Sequence, residues 1–166
     1  MRKGFTMIEL IFVIVILGVL ASVAIPRLAA TRDDAEVAKA ATNLTTAVSD
    51  ITAYYTAKGN FSGVTNDFTK ITNALTKDGK LNVKGSTTCV QVTLPTTTAN
   101  STTTASNKVE LTLKFGSATG KNDAVCKQLM QLPGVKAMCG KGDGESISTG
   151  ESGCKIQIGG SGGIQF

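Results

Sequence analysis

The sequence predicts an α+β protein: a long N-terminal α-helix, its first half of transmembrane character and its second half amphipathic, packed on a small antiparallel β-sheet. Three observations carry this. Residues 10–25 hold no charge, so the chain opens on an apolar segment of membrane length. Between Val37 and Tyr55, apolar residues recur at spacings of three and four, the period of a helix with one buried face. Beyond residue 87, short segments alternate apolar and polar residues, the period of strands with one buried face.

The first element runs from Phe5 to Pro26. At 1.5 Å rise per residue it makes a helix of roughly 33 Å, enough to cross a hydrocarbon core. Arg2 and Lys3 precede it, so the positive-inside rule holds that end in the cytoplasm and sends the rest of the chain outward. Gly18 and Pro26 weaken the helix, because proline removes a hydrogen bond and crowds the preceding turn. The chain of 166 residues leaves roughly 140 for an exported body, enough for one modest core.

In that body, Val37, Ala41, Leu44, Val48, Ile51 and Tyr55 form the apolar stripe of a helix reaching about Lys58, with Gly59 as its C-cap. The stripe reads as core. Asp67 to Lys77 reads as a short helix with Phe68, Ile71 and Leu75 on one side, and Asp78-Gly79-Lys80 as a turn. Strands are expected at 87–94, 108–115 and 154–159. The Thr-rich linker 95–107 reads as an exposed, mobile hairpin loop, its hydroxyls either O-glycan acceptors or plain polar surface. A helix from Asn122 to Gln131 is expected to end at Pro133-Gly134, and the apolar tail residues Ile164 and Phe166 to dock on the sheet.

The composition excludes several chemistries. There is no histidine, which removes Ser-His-Asp and Cys-His catalysis and any histidine-ligated metal. No other catalytic constellation stands out, so neither an enzyme nor a cofactor is expected. The net charge of +5 includes Arg2 and Lys3, and no basic run is interleaved with aromatics, so nucleic acid is not indicated as a partner. Cys89, Cys126, Cys139 and Cys154 all lie in the exported part, which points to two disulfides. Three pairings are open; Cys126–Cys139, closing a local loop, with Cys89–Cys154, tying two strands, is the favoured one. Zinc is disfavoured because no two cysteines are close in sequence. Asp143, Glu145 and Glu151 stand among glycines and are weak calcium candidates, since their spacing fits no defined calcium loop.

One residue breaks the apolar opening. Glu9 is an acid at its edge, and an acid in apolar surroundings is costly unless partnered. A plain signal anchor gives it no role. A secretory signal peptide cut near Ser22-Val23-Ala24 would have an overlong apolar region containing Glu9, with Pro26 close behind the cut. Taken together, Gly4, Phe5, Thr6, Met7 (where leucine is commoner), Ile8 and Glu9 make one motif, continued by Gly18 and Pro26. Over residues 1–35 the chain resembles the type IV pilins and the pseudopilins of type II secretion.

That resemblance implies the pilin fold and a division into a cleaved leader, 1–4, a transmembrane and filament-core segment, 5–26, and an exported globular domain, 27–166. It implies cleavage between Gly4 and Phe5 by a prepilin peptidase and N-methylation of Phe5. Glu9 would pair with the new amine of Phe5, in its own subunit or a neighbour, and Glu9 and Pro26 would serve assembly. The implied partners are copies of itself in a helical homopolymer, the peptidase, an inner-membrane assembly platform, minor pilins, and the inner membrane before assembly. The implied role is a structural subunit of a surface filament used in adhesion, motility or DNA uptake. The alternative is a pseudopilin of a periplasm-spanning filament in protein export. Major pseudopilins have a calcium site in a C-terminal loop, which the resemblance would place weakly at Asp143, Glu145 and Glu151.

Overall fold

The structure is a computed structural model describing residues 4–95, 108–116, 120–142, 144–150 and 153–159, without the side chains of residues 29 and 30. The chain divides into two compact units, Met1–Ala35 and Glu36–Phe166.

The first unit is helical from Met7, where helix α1 (Met7–Lys58) begins. Every large apolar side chain from Phe5 to Leu28 is exposed. A helix that is apolar all round lies in lipid or among other apolar helices, and α1 is long and apolar enough to cross a membrane. Its few hydroxyls turn back on the backbone: Ser22 Oγ donates to the Val19 carbonyl at 2.7 Å and Thr31 Oγ1 to that of Leu28 at 2.9 Å. The apolar surface therefore carries little unsatisfied polarity. Pro26 lies inside the helix.

The second unit is built on a four-stranded antiparallel sheet in the order β1-β2-β3-β4, with β1 Lys80–Val83, β2 Thr87–Thr93, β3 Val109–Phe115 and β4 Cys154–Gly159. Residues 36–58 of α1 cover one face. Val37, Ala40, Leu44, Ala47 and Ile51 join one buried core with Leu81, Val90, Val92, Leu111, Leu113, Phe115 and Ile158. Ala41, Val48 and Tyr55, expected on the stripe, are half-buried at its edge. The alanines at 40 and 47 sit deeper, where small side chains let the helix approach the sheet. Gly59, at φ 73°, donates to the Tyr55 carbonyl at 2.7 Å and ends the helix as expected. The uncovered sheet face is polar, with Lys155 3.7 Å from Glu110 across β3 and β4.

Where β1 meets β2 the register shifts between Leu81 and Asn82: Leu81 faces Val90, but Asn82 faces Thr88. Cys89 is the extra residue of a β-bulge, which re-aims its side chain. That is why Thr88, Cys89 and Val90 are buried in succession. The bulge presents Cys89 to helix α2 (Ala124–Gln131), and Cys89 and Cys126 form a disulfide with Cα atoms 5.1 Å apart. Cys139, just after helix α3 (Pro133–Met138), is bridged to Cys154 with Cα atoms 5.3 Å apart.

This corrects the expected pairing of Cys126–Cys139 and Cys89–Cys154. Cys154 faces Leu113, which faces Val92, so β3 stands between Cys154 and β2. Two strand spacings are roughly 9–10 Å, beyond the roughly 7 Å that a disulfide spans. Cys126 is buried toward the sheet and finds the bulged Cys89 there.

Three other expectations change. Residues 67–77 contain only a 3-10 turn, Phe68–Lys70, because Asp67 Oδ1 accepts the Thr69 N–H at 3.3 Å and the Phe68 N–H goes to the Lys77 carbonyl at 3.1 Å. Strand β1 was not expected at all. Pro133 begins α3 at its first turn, where its missing N–H is harmless, rather than merely closing α2. The Thr-rich linker beyond Pro95, Asp143, Glu151, Ile164 and Phe166 lie outside the described residues.

Candidate functional site

The N-terminal motif becomes a small piece of geometry. Gly4, Phe5 and Thr6 precede the first helical residue, so the Gly4–Phe5 peptide is not part of the helical ladder. Thr6 is the N-cap. Its carbonyl accepts from the Glu9 N–H at 3.1 Å and the Leu10 N–H at 3.3 Å. Glu9 reaches back: its Oε2 accepts the Thr6 N–H at 2.9 Å and the Thr6 hydroxyl at 2.7 Å. This is the acid's half of a capping box, in which an acid three residues into the helix satisfies the N-cap N–H; the Thr6 hydroxyl donates to the same carboxylate instead of accepting the Glu9 N–H, which goes to the Thr6 carbonyl. Glu9 also lies in the first turn, where the helix dipole favours a negative charge.

The arrangement has two chemical consequences. The helix is held to start after the junction, leaving the Gly4–Phe5 backbone in open chain. A Cβ placed on Gly4 would meet nothing within 4 Å, so this peptide can be approached closely. And Glu9 takes both Thr6 bonds on one oxygen, so its carboxylate can accept a further donor on the other. The role of Thr6 went unassigned in the sequence reading. Its signal was present as Thr-x-x-Glu before an apolar run, the pattern of a capping box.

The remaining candidates are dispersed. Pro26 sits seventeen residues further along α1, inside the helix. Glu145 is exposed on the loop after α3, where its Oε2 accepts the Gly142 N–H at 3.1 Å. With Asp143 and Glu151 outside the described residues, no calcium site can be drawn from the three. Among the described residues no cluster of three or more His, Cys, Asp or Glu is placed to hold a metal. The four cysteines are all in disulfides.

Comparison with curated proteins and with solved structures returns no match for the chain. Its first 25 residues do match a family model, described as the prokaryotic N-terminal methylation motif, which covers the Gly4–Phe5 junction, the capping box and the apolar segment. The chain thus carries, over residues 1–25, the prepilin motif of the type IV pilins and pseudopilins.

Proposed function

We propose that the protein is the structural subunit of a type IV pilus-like filament on the cell surface, made as a membrane-anchored precursor and cut between Gly4 and Phe5. The observation that carries this is the methylation motif at residues 1–25, set on an apolar helix of membrane length. The motif indicates a structural subunit that a prepilin peptidase processes and that polymerises. The Thr-rich segment at 95–107 favours an exposed surface filament over a periplasmic one, while the disulfide-bonded body suits either oxidising compartment.

In this reading Glu9 has two successive partners. Before cleavage its carboxylate is satisfied by Thr6. Cleavage turns the Phe5 nitrogen into a charged amine, and Glu9 accepts from it when a subunit docks. An amine entering an apolar bundle without a counter-charge costs on the order of 3–5 kcal/mol. Glu9→Ala therefore leaves insertion and cleavage intact and stops elongation. The test is electron microscopy of cells with the gene, without it, and with Glu9→Ala as the sole copy. Surface filaments in the first strain alone support the proposal. Filaments unchanged by deletion of the gene contradict it. Filaments confined to the periplasm, with a secretion defect on deletion, place the protein in protein export instead.

A further inference from the structure

Three stretches of the sequence read Asn-x-Ser/Thr with no proline between: Asn43-Leu44-Thr45, Asn60-Phe61-Ser62 and Asn100-Ser101-Thr102. This is the pattern at which a glycan is joined to asparagine in exported chains, on surface loops. The fold separates the three. Asn43 is half-buried within α1, Leu44 beside it is fully buried, and the Thr45 hydroxyl donates to the Ala41 carbonyl at 2.9 Å. That stretch reaches an enzyme only if the helix is unwound from the core. Asn100 lies outside the described residues.

Asn60 is presented differently. It follows Gly59, which ends α1, and it is exposed, as is Ser62. Between them Phe61 is 1% exposed and stacks with Tyr54 and Tyr55, at ring-centroid distances of 6.1 and 5.6 Å. One buried ring thus fixes the loop and holds its two neighbours outward. Asn60 Oδ1 accepts the Ser62 N–H at 3.0 Å, so the carboxamide and residue 62 are displayed together in an Asx turn. Asn60 Nδ2 donates to the Lys58 carbonyl at 3.3 Å, an exposed bond that water readily replaces. The Ser62 hydroxyl makes no hydrogen bond to a described residue. A Cβ built on Gly59 or on Gly63 meets nothing within 4 Å, so open space lies on both sides of the pair.

We propose that Asn60 is the acceptor of an N-linked glycan, transferred from a lipid-diphosphate donor at the outer face of the membrane. The inference rests on the reading that this domain is exported while α1 is still anchored. Acceptor and lipid-borne donor then share one membrane surface, whereas a charged nucleotide sugar made inside the cell does not cross the bilayer. In the transfer, Asn60 Nδ2 bonds to the anomeric carbon of the sugar. The bond from that carbon to the phosphate oxygen breaks, its electron pair leaves on the lipid diphosphate, and Nδ2 gives one proton to a base of the transferase. A carboxamide nitrogen is a weak nucleophile, because its lone pair is shared with the carbonyl. The step therefore needs an enzyme that grips the acceptor, and the exposed Ser62 hydroxyl is the handle it grips. Ser62 is a positioning residue and does not react.

The test is mass spectrometry of the full chain purified from the cells that make it, intact and as peptides, with fragmentation that leaves glycans attached. The parent is expected to carry a saccharide on Asn60. Asn60→Gln and Ser62→Ala should each lose it completely, and Ser62→Thr should keep it. Ser62→Ala is the decisive variant. Ser62 enters the turn through its N–H, which alanine retains, so this variant should fold and form both disulfides as the parent does. A chain that begins at Phe5 and has a bare Asn60 overturns the inference and leaves the filament reading standing. A bare chain that keeps Met1 overturns both. A glycan confined to other residues, Ser62 and the threonines of 95–107 included, or one on Asn60 that survives Ser62→Ala, overturns the inference as well.

Discussion

The two disulfides allow a prediction whose size follows from the topology. Cys89–Cys126 closes a loop with a sequence separation of 37, and Cys139–Cys154 one of 15. On the chain-entropy account these constrain the unfolded chain by about 3.8 and about 3.0 kcal/mol. Domains of this size are stable by only about 5–15 kcal/mol in all, so the bridges together match a large share of the total. We expect the Cys89→Ala/Cys126→Ala double variant to lose about 4 kcal/mol or more, because both sulfurs are also buried in the core. The Cys139→Ala/Cys154→Ala variant should lose about 3 kcal/mol, and both doubles should still fold with one bridge. The assay is urea unfolding of each double variant beside the parent, with thiol titration under denaturing conditions. Neither double variant should contain a free thiol. Two titratable thiols in each would mean that the cut was made across two bridges and would refute the pairing. A Cys126–Cys139 peptide in a non-reducing digest would do so directly.

Three further outcomes are expected. Leu44→Ala empties a fully buried position between α1 and the sheet and should cost about 2–5 kcal/mol in urea unfolding; Thr45→Ala, on the exposed side of the same helix, should stay within about 0.5 kcal/mol. Gly120→Ala should destabilise by about 1–3 kcal/mol in the same assay, since its Cβ would run into the Thr88 carbonyl oxygen and lie 3.0 Å from the Cys126 sulfur. The Asp67 carboxyl is held below its usual value, first by the Thr69 hydroxyl; desolvation opposes this as the next effect in size, and the Thr69 N–H, Lys77 and Lys70 add lesser lowering contributions. A depressed folded value means that the ionised form contributes stability above the unfolded value of about 3.9 and loses it as the pH falls through the folded value. The stability gap between the parent and Asp67→Asn should therefore be present at pH 7 and shrink below about pH 4.

Much of this fold is legible in the residues, and the exceptions have physical causes. Helix α1 and its stripe are visible because the periodicity is long, and Gly59 marks the end because only a residue at ease with φ 73° fits there. β3 and β4 show clean alternation. β1 is four residues long, too short for a period to register beside the turn that precedes it. The stretch after Asp67 has helical spacing, but its backbone donors are captured by a side chain and a distant carbonyl, which spacing does not reveal. The disulfide pairing depends on which strands are neighbours and on a one-residue bulge at Cys89, neither of which sequence separation encodes. In the N-terminal site the opposite holds. Gly4, Phe5 and Glu9 stand out because an acid and a Gly-Phe junction are improbable in an apolar run, and the capping role of Thr6 follows from its spacing to Glu9.

The central claim is that this chain is a precursor cut at one peptide bond to make a filament subunit, and the mass of that subunit tests it most directly. Filaments sheared from cells and measured intact, with both disulfides formed, should give a single chain that begins at Phe5, lacks Met1 to Gly4, and carries one added methyl group on its N-terminal amine. Fragmentation should place that methyl on Phe5. A chain that keeps Met1, or one that begins after Ala24 as a secretory signal peptide would leave it, would contradict the account.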